Sequence, residues 1–454
     1  MKWNYFFCWG FLFLIACSGG QKKHVEHETE STAPPAPPRD SFGISQVISS
    51  VNCRDNPALS YALYLPHQYK ATAQLPALIF VDPHGDGSFP LNKYYPLAEK
   101  FGVVLMGSND SKNGMQFNET TFILQSLYNE ASQRIHADAR QVSIAGFSGG
   151  AKATLVAATE IPPLLSIIYC SAGIPELPQQ LPPALGITGL KDMNYTEVIE
   201  TDKQLEKKHL QHSLIEWNGK HEWCDSATFQ NAFYWMLFRA IEKKAAPVDK
   251  DLVQNFIKQN SRTNPDPLKE ELRLQKMVAF LNGVSYVNGY QSGLQALRQQ
   301  KVFMTALEKQ GSDLEMESRM KQNYIECIDL KDLTWWHQEA SRLKLATSNA
   351  MNARILGYLS LACYSYSSNA MKQQNYNAAS KYLSIYYFVD QENVDRAFMQ
   401  ACLYARMQNK IGALQSIQEA INYGFTDKAK LMSEESFASL RTSNEFNELA
   451  QKIK

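Results

Sequence analysis

The chain has 454 residues, which exceeds the about 250–300 residues at which single hydrophobic cores stop growing, so more than one domain is expected. Its 45 basic and 45 acidic residues give a formal net charge of zero, and no basic block interleaved with aromatic residues stands out. A nucleic-acid-binding function is therefore disfavoured. The 22 Tyr, 22 Phe and 7 Trp residues indicate a packed globular protein and argue against overall disorder.

The N-terminal segment predicts export. Lys2 precedes an apolar run over residues 3–16, which is shorter than the about 20 residues that span a bilayer but matches the core of a signal peptide. Its end, Leu14-Ile-Ala-Cys17, resembles the lipobox of a bacterial lipoprotein. The resemblance implies a signal over residues 1–17, with Cys17 as the lipidated first residue of a mature protein in the periplasm or at the cell surface. A membrane-spanning N-terminal anchor is the alternative.

A proline-rich segment follows over residues 18–41. It contains Ala33-Pro-Pro-Ala-Pro-Pro38 and has no apolar periodicity, so it predicts an extended, solvated tether. Such a tether would hold the folded part of the chain away from the membrane.

The cysteines show no metal-binding or C-x-x-C spacing, and neither a metal nor an organic cofactor is expected. Cys53 and Cys224 flank the first domain, and a disulfide between them in an oxidising compartment is one alternative, with two free thiols as the other. Cys170, Cys363 and Cys402 lie in apolar or small-residue contexts and are expected to be buried free thiols.

Strand and helix patterns alternate over residues 42–246, which predicts an α/β domain with a mostly parallel sheet. Continuous apolar runs at 77–81 and 103–107 are typical of buried parallel strands, whereas the alternating run at 59–66 predicts a half-buried edge strand. Further strands are predicted at 142–145, 164–170, 184–188 and 213–217, with helices at 93–100, 120–135, 151–159 and 226–243.

The segment Gly146-Phe-Ser-Gly-Gly150 carries the main chemical motif. It is a G-x-S-x-G sequence between a predicted strand and a predicted helix of small residues, which is the context of a serine nucleophile on a sharp turn. The glycines allow the turn to close, and the following helix directs free N–H groups toward the serine. The motif predicts that Ser148 is a nucleophile. A Gly-Ser turn without chemistry is the alternative.

A second glycine-rich turn, Asp82-Pro-His-Gly-Asp-Gly87, follows the strand predicted at 77–81. Acyl transfer develops negative charge on the carbonyl oxygen, and preorganised backbone N–H donors stabilise that charge. We expect the N–H groups of the turn at Gly85 and Asp86, together with that of Gly149, to form this oxyanion hole. A structural loop is the alternative.

A serine nucleophile needs a base and a carboxylate that orients the base. His221 follows the strand predicted at 213–217, and Asp192 follows the strand predicted at 184–188. We therefore expect His221 to be the base and Asp192 the orienting acid, with Glu222 and Asp225 as alternative acids. The remaining histidines fit this order less well and are expected to be surface residues.

The ordered set of motifs resembles α/β-hydrolase-fold esterases, and among them the exported feruloyl-esterase-like and polyhydroxybutyrate-depolymerase-like enzymes. The resemblance covers residues 55–244 and implies a Ser148–His221–Asp192 triad, an oxyanion hole at Gly149 and the 85–86 turn, no cofactor, and a small-molecule or polymer-borne ester as substrate. It rests on these segments: Tyr61-Ala-Leu-Tyr-Leu-Pro66, His84-Gly85, Gly146-Phe-Ser-Gly-Gly150, Asp192 and Gly219-Lys-His-Glu-Trp223.

Residues 251–454 predict an all-α region, because strand patterns stop and Gly and Pro become scarce. Asn375 and Ala379 match Asn409 and Ala413 at a spacing of 34 residues, which resembles tetratricopeptide repeats. Two such units are too few for a stable array, so residues 251–345 are expected to add helical pairs and the chain end a cap. The resemblance implies a concave surface that binds a protein partner.

The sequence as a whole predicts an exported, lipid-anchored serine hydrolase of carboxylic esters with a helical partner-binding region. A serine peptidase of the same fold is one alternative, since the same serine turn suits amide cleavage. A catalytically silent hydrolase fold that serves as an interaction scaffold is the other.

Overall fold

We describe the protein from a computed structural model, over residues 42–70, 72–345 and 349–453. The predicted signal peptide at 1–17, with its lipidated Cys17, and the tether at 18–41 lie outside the described residues. Within the described part of the chain, no helix combines the length and the apolar composition needed to cross a bilayer.

One eight-stranded sheet organises the first half of the chain. Its strands β1–β8 are Val47–Asn52, Ser60–Tyr64, Ala77–Val81, Val104–Ser108, Val142–Phe147, Ser166–Cys170, Ala184–Gly189 and His212–Trp217. They lie in the order β1-β2-β4-β3-β5-β6-β7-β8. Strand β2 is antiparallel to both of its neighbours, and all other pairs from β4 to β8 are parallel. The carboxyl ends of β3, β5, β7 and β8 therefore meet at one edge of the sheet, where ligands bind in such folds.

Five helices accompany this sheet: α1 Ser88–Phe101, α2 Phe117–Asn129, α3 Gly149–Ala157, α4 Tyr195–Lys207 and α5 Ser226–Glu242. Helices α1 and α5 pack on each other and on the strand face that carries Phe80 and Phe147. Helices α2 and α3 pack together, and α3 contacts β3, β5 and β6, while α4 contacts β7 and β8. Because successive strand side chains point to opposite faces, buried strands with two apolar faces require helices on both sides.

The prediction of an edge strand at 59–66 is wrong. Strand β2 pairs with β1 on one side and β4 on the other, and Tyr61 to Tyr64 are buried. The edge strand on this side of the sheet is β1. It is half exposed and contains two serines and an asparagine among its six residues, so its apolar pattern is weak.

Eleven α-helices and one short 3-10 helix, Glu435–Phe437, lie in the described remainder of the chain. The predicted class, a mostly parallel α/β sheet followed by an all-α region, is therefore confirmed. Helices α6–α16 are Lys250–Asn260, Pro267–Leu281, Asn288–Arg298, Lys301–Leu330, Leu333–Leu345, Ala350–Lys372, Tyr376–Val389, Val394–Arg406, Lys410–Asn422, Lys428–Ser433 and Asn444–Lys452.

The hydrophobic core of the sheet extends into the first of these helices. Phe256 of α6 packs edge-on against Phe238 of α5, with ring centroids 5.2 Å apart, and stacks on Phe280 of α7 at 5.0 Å. Gly43–Lys454 accordingly forms one compact unit. The proposed boundary between 246 and 251 stays a prediction, since apolar contacts continue across it.

The 34-residue spacing has a structural counterpart in two helical hairpins, α11–α12 and α13–α14. Gln374 and Gln408 both adopt φ +59° in the turn between the helices. The next residues, Asn375 and Asn409, each cap the following helix through their side-chain oxygens. The turn chemistry therefore repeats, while the assignment to the tetratricopeptide family stays a prediction.

All six cysteines of the described residues are free thiols. Cys53 lies just after β1 near Glu130, whereas Cys224 lies in the core under α1, where its carbonyl oxygen accepts a hydrogen bond from Tyr94. The disulfide alternative for Cys53 and Cys224 does not form, because the two residues belong to different regions of the domain. Cys170, Cys363 and Cys402 are buried, as predicted.

Candidate active site

Ser148 lies at the junction of β5 and α3 with φ +51° and ψ −119°. This positive-φ conformation is strained for a residue with a side chain and persists only where the surroundings enforce it. Here the N–H of Ser148 donates to the carbonyl of Cys170 at the end of the neighbouring strand β6, at 2.9 Å. The strand pairing therefore holds the serine at the apex of a sharp turn.

Two glycines of the motif make this turn sterically feasible. A Cβ atom at Gly146 would lie 2.2 Å from the carbonyl oxygen of Gly150, and one at Gly150 would lie 2.1 Å from that of Val81. Both distances are far below van der Waals contact. The backbone of α3 thus approaches β5 and β3 as closely as only glycine permits.

The three residues predicted as a catalytic triad form one hydrogen-bonded chain. Nε2 of His221 lies 2.9 Å from Oγ of Ser148, and Nδ1 of His221 lies 2.9 Å from Oδ1 of Asp192. Asp192 is fully buried, whereas Ser148 and His221 are partly exposed. A serine–histidine–carboxylate chain of this geometry can transfer a proton from the serine to the imidazole while the carboxylate holds the ring.

Asp192 lies in the loop over residues 190–194, here named the acid loop, between β7 and α4. Its Oδ1 also accepts a hydrogen bond from the N–H of Asn194 at 2.8 Å. The side-chain amide of Asn194 donates to the carbonyl of Ser171 at 3.0 Å, which ties the acid loop to the end of β6. Sequence patterns did not single out Asn194, although its position two residues after an acid is typical of an Asx turn.

The acid loop is also joined to the loop that carries the base, residues 218–225, here named the base loop. The N–H of Leu190 donates to the carbonyl of Trp217 at 2.8 Å, and the N–H of Lys191 donates to that of Gly219 at 2.9 Å. These bonds extend the pairing of β7 with β8 beyond the strands. The pairing of β7 with β8 therefore contributes to the relative position of Asp192 and His221.

The turn over residues 82–87, here named the oxyanion turn, supplies fewer free donors than the sequence suggested. The N–H of Gly85 donates to the carbonyl of Asp82 at 3.1 Å within the turn. Among the described residues none accepts a hydrogen bond from the N–H of Asp86. The N–H of Gly149, in the first turn of α3, has no intrahelical acceptor. Asp86 and Gly149 are thus the available backbone donors.

The carboxylate of Asp86 is engaged by the start of α1. Its Oδ1 accepts hydrogen bonds from the N–H groups of Ser88 at 3.0 Å and Phe89 at 3.2 Å. Asp86 therefore acts as a cap for α1, and negative charge at the start of a helix is favourable. This explains how an acidic residue is compatible with the oxyanion turn.

Two residues to which the sequence assigned no role lie beside the turn and the serine. Asp82 is buried and accepts hydrogen bonds from the N–H of His84 at 2.9 Å and from Nδ1 of its ring at 3.0 Å. The hydrogen bond between the His84 ring and Asp82 raises the pKa of His84. Asn113 lies over the first turn of α3, since a Cβ at Gly149 would lie 1.8 Å from its Oδ1. An acid directly after a central strand was a usable signal for Asp82, whereas nothing in the sequence marked Asn113.

The alternative acids are placed elsewhere. Asp225 caps α5, because its Oδ1 accepts from the N–H of Thr228 at 2.7 Å. Glu222 is exposed to solvent. Because Nδ1 of His221 is hydrogen-bonded to Asp192, neither Asp225 nor Glu222 orients the imidazole. No cluster of metal-ligating side chains occurs in the described ranges.

The helical region also reaches the site. Arg354 of α11 donates from Nη1 to the carbonyl of Leu190 at 2.8 Å, and Lys321 of α9 donates from Nζ to the carbonyl of Met193 at 2.9 Å. Both acceptors belong to the acid loop. Sequence reasoning treated the helical region as a separate partner-binding part and missed these contacts.

No protein-family model matches the chain, and no curated protein matches it. Among solved structures it is similar to an esterase from the archaeon Pyrobaculum calidifontis, with 13% identity and a TM-score of 0.33 over 47% of this chain and 84% of that one. An s-formylglutathione hydrolase from Staphylococcus aureus matches with 16% identity and a TM-score of 0.36 over 42% of this chain and 100% of that one. A Pseudomonas putida esterase matches with 14% identity and a TM-score of 0.35, over 42% and 82%. Similarity at this level assigns no chemistry to the chain, and the site's chemistry is argued from its geometry.

Proposed function

We propose that this protein is a serine hydrolase that cleaves a carboxylic ester. The observation that carries the proposal is the continuous chain from Ser148 through His221 to the buried Asp192, with both links at 2.9 Å. The first residue of this hydrogen-bonded series, Ser148, has a strained backbone conformation, and such strain is found at functional sites. A buried carboxylate, an imidazole and a hydroxyl in this order are the groups that acyl transfer requires.

The reaction follows from these positions. Oγ of Ser148 attacks the ester carbonyl carbon as His221 Nε2 takes the hydroxyl proton, and the carbonyl π electrons move onto oxygen. The N–H groups of Asp86 and Gly149 stabilise that oxyanion. When the tetrahedral intermediate collapses, the C–O bond to the alcohol breaks and His221 returns the proton to the leaving alcohol. Water, deprotonated by His221, then attacks the acyl carbon of the acyl-serine. The bond from that carbon to Oγ of Ser148 breaks, Oγ takes the proton back from His221, and the carboxylic acid is released.

Labelling with a fluorophosphonate probe tests the nucleophile. The full chain should be labelled, and both Ser148→Ala and His221→Ala should lose labelling while they keep the wild-type circular dichroism spectrum. Ser126→Ala and His67→Ala change the same residue types outside the triad and should be labelled like wild type. Absence of labelling in a folded wild-type chain would favour the scaffold alternative.

A substrate panel separates the ester and amide alternatives. The same acyl groups are offered as small esters, as esters borne on a polymer, and as aminoacyl amides. Turnover of the esters alone is expected, with Ser148→Ala as the blank. Turnover of the amides would instead identify a serine peptidase.

We further propose that the mature protein is an exported lipoprotein anchored through Cys17 in the periplasm or at the cell surface. Support comes from the sequence Leu14-Ile-Ala-Cys17 and the tether after it. In a bacterial host, the Cys17→Ser variant should be lost from the membrane fraction, whereas the Cys8→Ser variant should be distributed like wild type.

We also propose that the helical region binds a protein partner. An affinity pulldown with the full chain, directed at residues 250–454, tests this.

A further inference from the structure

Two helices of the C-terminal region hold the acid loop by its backbone. The carbonyl oxygens of Leu190 and Met193, on either side of Asp192, accept hydrogen bonds from Arg354 and Lys321 at 2.8 Å and 2.9 Å. The donors are separated from these acceptors by 164 and 128 residues along the chain. The acid loop is therefore fixed from outside the sheet as well as by its own strands.

The two donors are themselves organised by a buried carboxylate. Glu317 is fully buried, and its Oε2 accepts from Nε of Arg354 at 2.8 Å, while its Oε1 lies 2.8 Å from Nζ of Lys321. Arg354 and Lys321 are also largely buried. Arg354 and Lys321 thus share the one carboxylate of Glu317, which cannot accept hydrogen bonds from all of their N–H groups. The carbonyl groups of the acid loop supply the remaining acceptors that buried cations require.

Further contacts of α11 reach the start of α4 and the acid loop. The guanidinium of Arg354 lies 4.6 Å from the ring centre of Tyr195, the first residue of α4. The backbone of α11 packs directly on the acid loop, since a Cβ at Gly357 would lie 3.3 Å from Cβ of Met193. The helical region therefore contacts the acid loop at Leu190 and Met193 and the start of α4 at Tyr195.

The position of this backbone matters for Asp192. Its Oδ1 makes hydrogen bonds to His221 and to Asn194, while its Oδ2 is buried without a donor among the described residues. No side chain outside the loop other than His221 donates to the carboxylate in the described part of the chain. The carboxylate is therefore placed by the loop backbone, and a shift of the loop moves it relative to the imidazole.

We propose that Lys321 and Arg354 are positioning residues, through which the helical region holds the acid loop so that Asp192 keeps its hydrogen bond to His221. This proposal rests on the proposed hydrolase function for its kinetic consequences. It gives the helical region a role within the catalytic unit that does not depend on a protein partner.

Lys321→Met and Arg354→Met test the proposal, because either change leaves Glu317 paired with the other cation and so avoids an uncompensated buried charge. A misplacement near 1 Å costs up to about a hundredfold in rate, so we expect kcat for the best ester to fall about tenfold to a hundredfold with KM within about twofold. Arg354→Lys, which keeps a donor and the charge, should restore part of kcat. Arg396→Met changes another buried arginine of the helical region, one that pairs with Glu419, and should leave kcat unchanged.

A double-mutant cycle distinguishes positioning from general damage. In an Asp192→Ala background, Arg354→Met should reduce kcat no further, because Arg354 acts through Asp192. Unchanged kcat in folded single variants, or an equal further loss in the Asp192→Ala background, would overturn the proposal.

Amide hydrogen exchange gives a readout that does not need turnover. Exchange in a peptide covering residues 190–195 should rise in Lys321→Met and Arg354→Met and stay at the wild-type level in Arg396→Met. If exchange rises but the wild-type chain has no activity, the proposed function is wrong while the helices still hold the loop. If the enzyme is active and exchange does not rise, the proposed function stands and the positioning role is wrong.

Discussion

Nε1 of Trp223 donates a hydrogen bond to Oδ2 of Asp82 at 2.9 Å, and both residues are buried. Trp223 belongs to the base loop and Asp82 to the oxyanion turn. The indole also stacks on Phe147, next to the serine, with ring centroids 5.3 Å apart. One side chain therefore connects the base loop, the oxyanion turn and the residue next to Ser148.

Trp223→Phe should destabilise the protein. The change leaves Oδ2 of a buried carboxylate without its donor, which costs about 1–3 kcal/mol in the free energy of unfolding beyond the loss of ring volume. Trp336→Phe is the matched control, because its buried Nε1 has no acceptor among the described residues. Urea unfolding should show a larger loss for Trp223→Phe, and equal losses for the two variants would contradict the role of the hydrogen bond.

Gly150→Ala should be strongly destabilising. The new methyl group would lie 2.1 Å from the carbonyl oxygen of Val81, and overpacking against a backbone that cannot move typically costs about 1–3 kcal/mol or more. Gly311→Ala makes the same change inside α9, where a Cβ meets no atom within 4 Å. That variant should gain about 0.5–1 kcal/mol, because glycine in a helix interior is unfavourable. The free energies of unfolding of the two variants should therefore change in opposite directions.

The proximity of the three predicted triad residues could be predicted, because each follows an apolar run that is typical of a parallel strand. Ser148, Asp192 and His221 follow β5, β7 and β8, and the carboxyl ends of parallel strands meet at one edge. The donor set of the oxyanion turn was not predictable in detail. Whether Gly85 or Asp86 keeps a free N–H depends on how the turn closes on Asp82, which the residue types do not specify.

The contacts between the helical region and the acid loop could not be predicted from the sequence, for a different reason. Glu317, Lys321 and Arg354 occupy ordinary polar positions of helical patterns, where such residues usually face solvent. Their burial results from the packing of α9 and α11 on the acid loop, more than a hundred residues away along the chain. Periodicity shows which face of a helix is apolar, but it does not show which polar residues will be covered by another part of the protein.

Cys53 and Cys224 should behave as unreactive free thiols in the folded chain. Burial raises the pKa of each thiol to about 12, so little thiolate forms at neutral pH. Iodoacetamide should therefore modify neither in the native protein, while the partly exposed Cys327 serves as a reactive control. In denaturant without a reducing agent both should be alkylated. Peptide mass spectrometry that finds them protected until reduction would show that they form a disulfide.

The pH dependence of stability should reveal the role of Asp138, which precedes β5. The Arg140 side chain lies 2.8 Å from Oδ2 of Asp138, and this interaction, with a further hydrogen bond from Gln141, lowers the pKa of Asp138 from 3.8 to about 2. A carboxyl group with a lowered pKa in the folded state contributes stability above its ordinary pKa and loses it as the pH falls from 3.8 toward about 2.

Asp138→Asn should accordingly lower the free energy of unfolding by about 1–2 kcal/mol near neutral pH. This figure already includes a reduction, because solvent screens the charge of the exposed Arg140. The difference from wild type should shrink as urea unfolding is repeated at successively lower pH, below the ordinary pKa of the group. Asp313→Asn is the matched control, because its ion pair with Lys309 is exposed and should change stability little at any pH. A deficit for Asp138→Asn that stays constant down to the lowest pH would mean that packing, and not the charge of Asp138, is responsible.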